Sequence, residues 1–437
     1  MSQGGARHFP GTGTTDVIVV GAGHSGLAMS AWLAGQAIEH VVLERGEIAN
    51  SWRHERWDSL RLLTPNWQSR LPDYRYEGED PDSFMTMPEV IQFITRYAGF
   101  VGAPVRTGTT VRSVRQDGEG FRVRTDLREW RCRAVVMAGG ANGIANVPAL
   151  AAKLPASLRA LTAKEYKNPG QLAEGGVLIV GASATGLQLA DELAACGRDV
   201  TLAVGEHIRM PRTYRGRDIQ WWLDAAGILD QRFDQVDDLV RARRIPSPQL
   251  IGSPQRATLD LNALTARGVN VVGRLVGFDG DKAQFSGSLR NECAMADLKL
   301  TRMLENFDAL AARSAFGARI PAAERFAATR VEANPRLAVD LHAERIRTVI
   351  WATGFRPDFS WLHVPAFDHK GRLRHHGGIV DVPGLYVLGL NFMRRRKSSF
   401  IHGAEDDVRE LGAHLVYGLK RRRGRGAALA SGTMTGT

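Results

Sequence analysis

Cysteine is scarce in this chain. Its 437 residues hold three, Cys132, Cys196 and Cys293, far apart and with no CxxC pair. That spacing argues against a disulfide framework, a zinc site and a dithiol redox centre, and makes a reducing cytoplasm the expected compartment. Long apolar runs are also missing, so no membrane span is expected. The N-terminus lacks a basic-then-apolar signal, and Ser2 to Thr15 is glycine-rich and expected to fray. Lysine is rare, with eight residues among 57 basic ones, so arginine carries most of the net charge of +11. Such a field attracts anionic cofactors and substrates, but an arginine-rich composition is no sign of nucleic-acid binding. The one basic cluster, Lys420-Arg421-Arg422-Arg423-Gly424-Arg425, precedes a low-complexity end and reads as a solvated, disordered tail. Hydrophobic (44%) and charged (24%) fractions are those of a globular protein large enough for two or three domains.

What the chain does have begins at Asp16. Val17-Ile18-Val19-Val20 runs into Gly21-Ala22-Gly23-His24-Ser25-Gly26, then an Ala/Leu-rich segment, then His40-Val41-Val42-Leu43 ending on Glu44. The order is strand, glycine turn, helix, strand. The first glycine permits the tight turn, the second lets backbone approach a pyrophosphate, and the third lets helix pack on strand. Phosphates would sit at the helix N-terminus, where free N–H groups and the dipole favour negative charge. Glu44, 23 positions after Gly21, is where an acid would bond ribose hydroxyls.

Gly46 to Tyr76 is aromatic and basic (Trp52-Arg53, Trp57, Arg61, Trp67, Tyr74), without helical period and broken by Pro65 and Pro72. It reads partly as packing over the core and partly as a wrap for a flat heterocycle. Phe84 to Phe100 reads as an amphipathic helix. From Thr109 the period becomes two, giving a short antiparallel meander with a turn at Asp117-Gly118, followed by a separate buried strand, Ala134 to Ala138, ending at Gly139-Gly140. Pro148 to Ala173 reads as a linker.

The opening pattern then repeats 160 residues on. Val177-Leu178-Ile179-Val180 leads into Gly181-Ala182-Ser183-Ala184-Thr185-Gly186, a helical run and Val200 to Val204. The acid position is here Val204, with Glu206, His207, Arg209 and Arg212 nearby. Losing the acid and gaining arginines favours a 2′-phosphate, hence NADPH over NADH; Glu206 argues the other way. Met210 to Gly252 reads as mainly polar helix, in which at most one of Trp221 and Trp222 can line a pocket. Asn270 to Phe285 reads as short strands, and Asp297 to Ala328 as helix. Thr348 to Ala352 reads as a strand running into Thr353-Gly354-Phe355-Arg356-Pro357, and Gly384 to Leu388 as another ending at Gly389. Ser398 to Ala404 then precedes an amphipathic helix whose N-terminus could face a flavin's electron-rich pyrimidine edge.

Taken together, Gly21-x-Gly23-x-x-Gly26 with Glu44-Arg45, Ser51-Trp52-Arg53, Trp57 to Leu62, Gly181 to Gly186, Ala352 to Pro357 and Gly384 to Gly389 resemble a class B flavin-dependent monooxygenase. That group includes flavin-containing monooxygenases, plant auxin-forming enzymes, Baeyer–Villiger monooxygenases and CzcO-like NAD(P)/FAD-dependent oxidoreductases. The resemblance covers Asp16 to about Tyr417. It implies an α/β fold with two Rossmann-like dinucleotide-binding domains, the NADP domain (171–330) inserted into an FAD domain (1–150 and 331–437, with the basic tail). One departure is visible: where the family fingerprint before the second motif has an aromatic, a glycine and a histidine ahead of a final aromatic, here Tyr166, this chain has Ala156, Leu158 and Thr162. A typical Baeyer–Villiger activity is therefore not implied.

The resemblance also implies roles. Gly21, Gly23, His24, Ser25, Gly26, Glu44 and Arg45 would hold FAD's pyrophosphate and ribose, Trp52 and Arg53 would flank the isoalloxazine, and Val111 would meet the adenine through its backbone. Ala138, Gly139 and Gly389 would border FAD; Gly181, Ser183, Ala184, Thr185, Gly186 and Arg209 would hold NADPH, with Thr353 and Gly354 alongside. Asn66 would be the catalytic group, bonded to the flavin oxygen adduct. Hydride would pass from NADPH to FAD, and a C4a-hydroperoxide would oxygenate a small organic substrate using O2, with no metal, no nucleic acid and a homodimer as one assembly open to it. Two alternatives stay open: a flavin reductase or oxidase that passes electrons to a partner or to O2, and a non-catalytic redox-sensing flavoprotein.

Overall fold

The computed structural model of the chain describes residues 11–432. Two parallel sheets dominate. The first is built on strand β1 (Thr12–Val20), helix α1 (His24–Gly35) and strand β2 (His40–Leu43). β1 lies between β2 and the strand Glu129–Met137, and the order continues through Leu385–Val387 on one side and Val105–Arg106 on the other. Val17, Ile18 and Val19 are fully buried, as an unbroken apolar run in a sheet covered on both faces must be. The second sheet runs Arg159–Thr162, Ile346–Trp351, Gly176–Val180, Val200–Ala203, Asn270–Val272, all parallel. Its central strand Gly176–Val180 has the same neighbours by position as β1. A small antiparallel sheet, Leu275–Asp279, Lys282–Phe285 and Ala338–Asp340, leans against it.

Several elements differ from the reading of the sequence. Thr12 to Thr15 is strand rather than frayed chain, because it pairs with Glu129 to Cys132. Ala134 to Ala138 is not a separate strand: Glu129–Met137 is continuous, antiparallel to the meander at its start and parallel to β1 throughout. The 148–173 stretch contains a strand, Arg159–Thr162, which finds its partner nearly two hundred residues later in Ile346–Trp351. That pairing makes Ile346–Trp351 part of the second sheet. Residues 210–252 hold a small hairpin, Thr213–Tyr214 with Arg217–Asp218, a 3-10 turn Phe233–Gln235 and two short helices, Ile219–Ala225 and Leu239–Ala242, in otherwise irregular chain. The helix expected over 297–328 spans Leu289–Ala312 and stops ahead of Gly317 and Pro321.

The helix Met87–Phe100 starts where Thr86 and Glu89 form a capping box, with Thr86 N donating to Glu89 Oε2 at 2.7 Å. Trp222 is core, packed on Tyr214 and Phe307, while Trp221 lies edge-on to Phe316. The C-terminal helix runs Ala404–Gly432, so the basic cluster continues a helix where a disordered tail was expected. It packs along α1: a side chain at Gly412 would collide with Trp32.

Candidate dinucleotide cradles

Both glycine turns lie at the C-terminal end of a central parallel strand, where ligands of such sheets bind. Gly21 has φ +109° and donates its N–H to Leu43 O at 2.8 Å. A side chain there would press Ala138 O, and one at Gly26 would lie 1.9 Å from Gly21 O. Gly23, by contrast, faces open space. Two glycines are thus demanded by the protein's own packing, and the middle one leaves room over the helix N-terminus. Glu44 is buried, with Oε2 accepting from Ala22 N at 2.8 Å and Oε1 from Gly46 N at 3.0 Å. A carboxylate has about four acceptor positions, so two remain for a diol.

The second turn repeats this geometry. Gly181 has φ +107°, its N–H bonds Ala203 O at 3.0 Å, and a side chain at Gly186 would lie 1.8 Å from Gly181 O. Ser183 caps the helix Ala184–Ala195 without a side-chain capping bond, so its hydroxyl is available to a phosphate. Thr185 follows in the first turn, half-buried. Both turns fit a pyrophosphate.

The remaining residues divide. Ala138 and Gly139 close the floor beside Gly21, and Gly389 (φ +77°) sits against Ser25, where a side chain would come within 2.7 Å of its hydroxyl. Thr353 donates to Asn146 O, and Gly354 (φ +85°) follows it at the mouth of the second turn. Val111 is buried at the start of the meander. Trp52 is half-buried under the Arg56 guanidinium, 5.4 Å from its ring centre. Arg53 is held locally by Ile48 O and Thr95, and Arg45 pairs with Glu55. Neither arginine is left free by these contacts.

Arg209 is already engaged. It is buried, its guanidinium held by Asp260 at 2.7 Å, Asp297 at 2.7 Å and Ala327 O at 2.8 Å. It ties two helices and a loop together. Arg274 lies beside Gly205, past the end of strand Val200–Ala203, its aliphatic stem 3.6 Å from where a Gly205 side chain would be. It is exposed. Glu206, the acid that argued for NADH, is paired with Lys299 at 3.0 Å. No sequence signal picked out Arg274, which lies in the link between strands Asn270–Val272 and Leu275–Asp279.

Asn66 is buried; its Nδ2 donates to Asp80 O at 2.9 Å and its Oδ1 has no partner. Thr162, at the fingerprint-histidine position, is bonded through N and Oγ1 to Glu165 and so shapes its own turn. Tyr166 is fully buried against Glu192 at 3.1 Å, and burial raises its pKa. Cys132 and Cys293 are buried and all three cysteines are free; burial pushes both buried thiols up to about 12, which makes them poor nucleophiles.

The family model for pyridine nucleotide-disulphide oxidoreductases matches residues 18–230, spanning both turns. A CzcO-like uncharacterised oxidoreductase of Geobacillus kaustophilus is 29% identical over 91% of this chain and 97% of its own. The indole-3-pyruvate monooxygenase YUCCA1 of rice (Oryza sativa subsp. japonica) is 32% identical over 46% of this chain and 50% of that one. A flavin-containing monooxygenase from Stenotrophomonas maltophilia shares the fold, with TM-score 0.63 and 21% identity over 92% of this chain and 99% of that one. The family model's name includes disulphide reduction, but in this chain all three cysteines are free.

Proposed function

We propose that the protein is an NADPH- and FAD-dependent monooxygenase acting on a small organic substrate with O2. The observation that carries the reading is the pair of matched glycine turns with unlike acid positions, Glu44 in the first and Val204 in the second. In this reading the first sheet takes FAD and the second takes NADPH. Bound, the two cofactors supply hydride transfer and oxygen activation.

The chain supplies the rest. Gly21, Gly23 and Gly26 bring backbone amides to the FAD pyrophosphate, and Glu44 accepts from the ribose hydroxyls. Gly181, Ser183 and Gly186 do the same for NADPH, and Arg274 meets the 2′-phosphate. Asn66 offers its unpartnered Oδ1 from a buried position fixed by Asp80. Trp52 and the buried residues of the 57–71 segment exclude water.

A specific observation favours a second reading, an NADPH oxidase. Thr162 occupies the fingerprint-histidine position and is engaged with Glu165, so it cannot do that histidine's work. One experiment separates the two. FAD-loaded protein is given NADPH and a panel of amines, sulfides and ketones, and NADPH consumed, peroxide released and oxygenated product are counted together. Monooxygenation predicts a substrate that raises NADPH consumption while peroxide per NADPH falls and product appears. Peroxide equal to NADPH across the panel would leave the oxidase.

A further inference from the structure

Five residues with buried, unpartnered side-chain polar atoms gather at one end of the first sheet. They are His24 (Nε2), Asn66 (Oδ1), Gln68 (both amide atoms), Ser69 (Oγ) and His402 (Nε2). They come from three separate stretches: the first turn of α1, the 66–71 loop, and the short turn Ile401–Gly403 that leads into the C-terminal helix. The fold brings these together. The C-terminal helix packs along α1, and the strand Arg70–Leu71 touches the Ile401–Gly403 turn. His402 is close enough to His24 and Arg70 to feel their charges. Gln68 is 1% exposed and His402 2%.

Leaving a buried donor or acceptor unmet costs about 1–3 kcal/mol each, so a cluster of them marks the seat of a polar ligand. Gln68 presents a donor and an acceptor side by side. That is the complement of the N3–H and adjacent carbonyl on the uracil-like edge of an isoalloxazine. A neutral imidazole adds a single N–H for a second carbonyl. Burial holds His402 neutral, with its pKa lowered to about 3.

We propose that Gln68 and His402 bind the pyrimidine edge of the flavin, Gln68 pairing with N3–H and one carbonyl, His402 donating to the other. This rests on the FAD reading above. Both are positioning residues, holding the ring at the N-terminus of the C-terminal helix while the Gly21 turn holds the distant pyrophosphate.

The test compares FAD with ADP, which shares only the pyrophosphate half. Apoprotein of wild type, Gln68→Leu, His402→Leu and His402→Gln is titrated with each. The leucine variants should bind FAD roughly tenfold or more weakly, keep ADP affinity, and shift the bound flavin's visible bands. His402→Gln, which keeps a donor, should recover most of the loss. Unchanged FAD affinity and spectrum in both leucine variants would overturn the proposal. So would a loss of ADP binding in His402→Gln equal to its loss of FAD, since that is a folding effect. Wild type that binds ADP but never FAD would instead overturn the FAD reading.

Discussion

The two glycine turns can be compared atom by atom. Gly21 N reaches Leu43 O and Gly181 N reaches Ala203 O; a side chain at Gly26 or Gly186 would strike the carbonyl of the turn's own first glycine. The strand on the far side is followed directly by Ala138 in one and Ala352 in the other, each packed on the third glycine. What differs is what stands around this shared scaffold. The first turn has Glu44 holding Ala22 N; in the second, Gln249 holds Ala182 O instead, and Val204 is buried where the acid would be. At the fourth motif position the first has His24, the second Ala184. On the proposed reading the turn itself suits a pyrophosphate in general, while the identity of the nucleotide is read by residues that neighbouring elements carry in from elsewhere.

The strongest way to break this comparison is to break each turn alone. Gly26→Ala forces Cβ onto a backbone oxygen and should cost about 3 kcal/mol, the upper end of overpacking penalties, and yield colourless protein. Gly186→Ala carries the same collision but should stay yellow and fail to be reduced by NADPH under anaerobic conditions. A yellow Gly26→Ala that ignores NADPH would reverse the assignment of the two sheets.

Arg209 and Arg274 sharpen it next. Arg209→Ala leaves Asp260 and Asp297 without their cation in the interior, so denaturant unfolding should show a loss of about 3–5 kcal/mol with the NADPH-to-NADH preference unchanged. A changed preference at full stability would return Arg209 to the nucleotide site.

His24 offers a pH test. Burial lowers its pKa from 6.5 to about 4, so the unfolded chain takes up a proton that the folded chain refuses. Stability from this group is present above pH 6.5 and is lost as pH falls through about 4, amounting to no more than about 3 kcal/mol. His24→Ala, which copies the second turn, should flatten the apoprotein's stability between pH 7 and 4.5. Equal slopes for the two proteins would mean His24 is solvated in solution.

The smallest effect expected is at Arg274. Arg274→Ala should weaken NADP+ binding roughly tenfold, the usual worth of a charge-assisted contact, and leave NAD+ binding unchanged. Equal weakening of both would remove it from the 2′-phosphate.

Much of this was visible beforehand, for stated reasons. The turns were legible because a glycine forced to φ above +100°, or backed onto a carbonyl, admits no other residue. The buried strands were legible as unbroken apolar runs. Arg159–Thr162 was not, since a strand of four residues with one fully buried side chain has no pattern of its own and exists only through Ile346–Trp351. The ion pairs of Arg209 are not legible, because an arginine near a turn looks the same in sequence whether it faces a phosphate or two aspartates 51 and 88 residues away. Gln68 and His402 carried no signal because being unpartnered is a property of surroundings.

The sequence by itself determined the two pyrophosphate turns, their order along the chain, and the absence of a cysteine pair. These depend on residues a few positions apart, whose geometry is dictated by backbone sterics and hydrogen bonding. Tertiary structure decided which cations are free, which polar groups are left facing one another, and where the chain returns to the first sheet. Those outcomes turn on partners brought together from distant stretches, and only packing decides which partner each side chain meets.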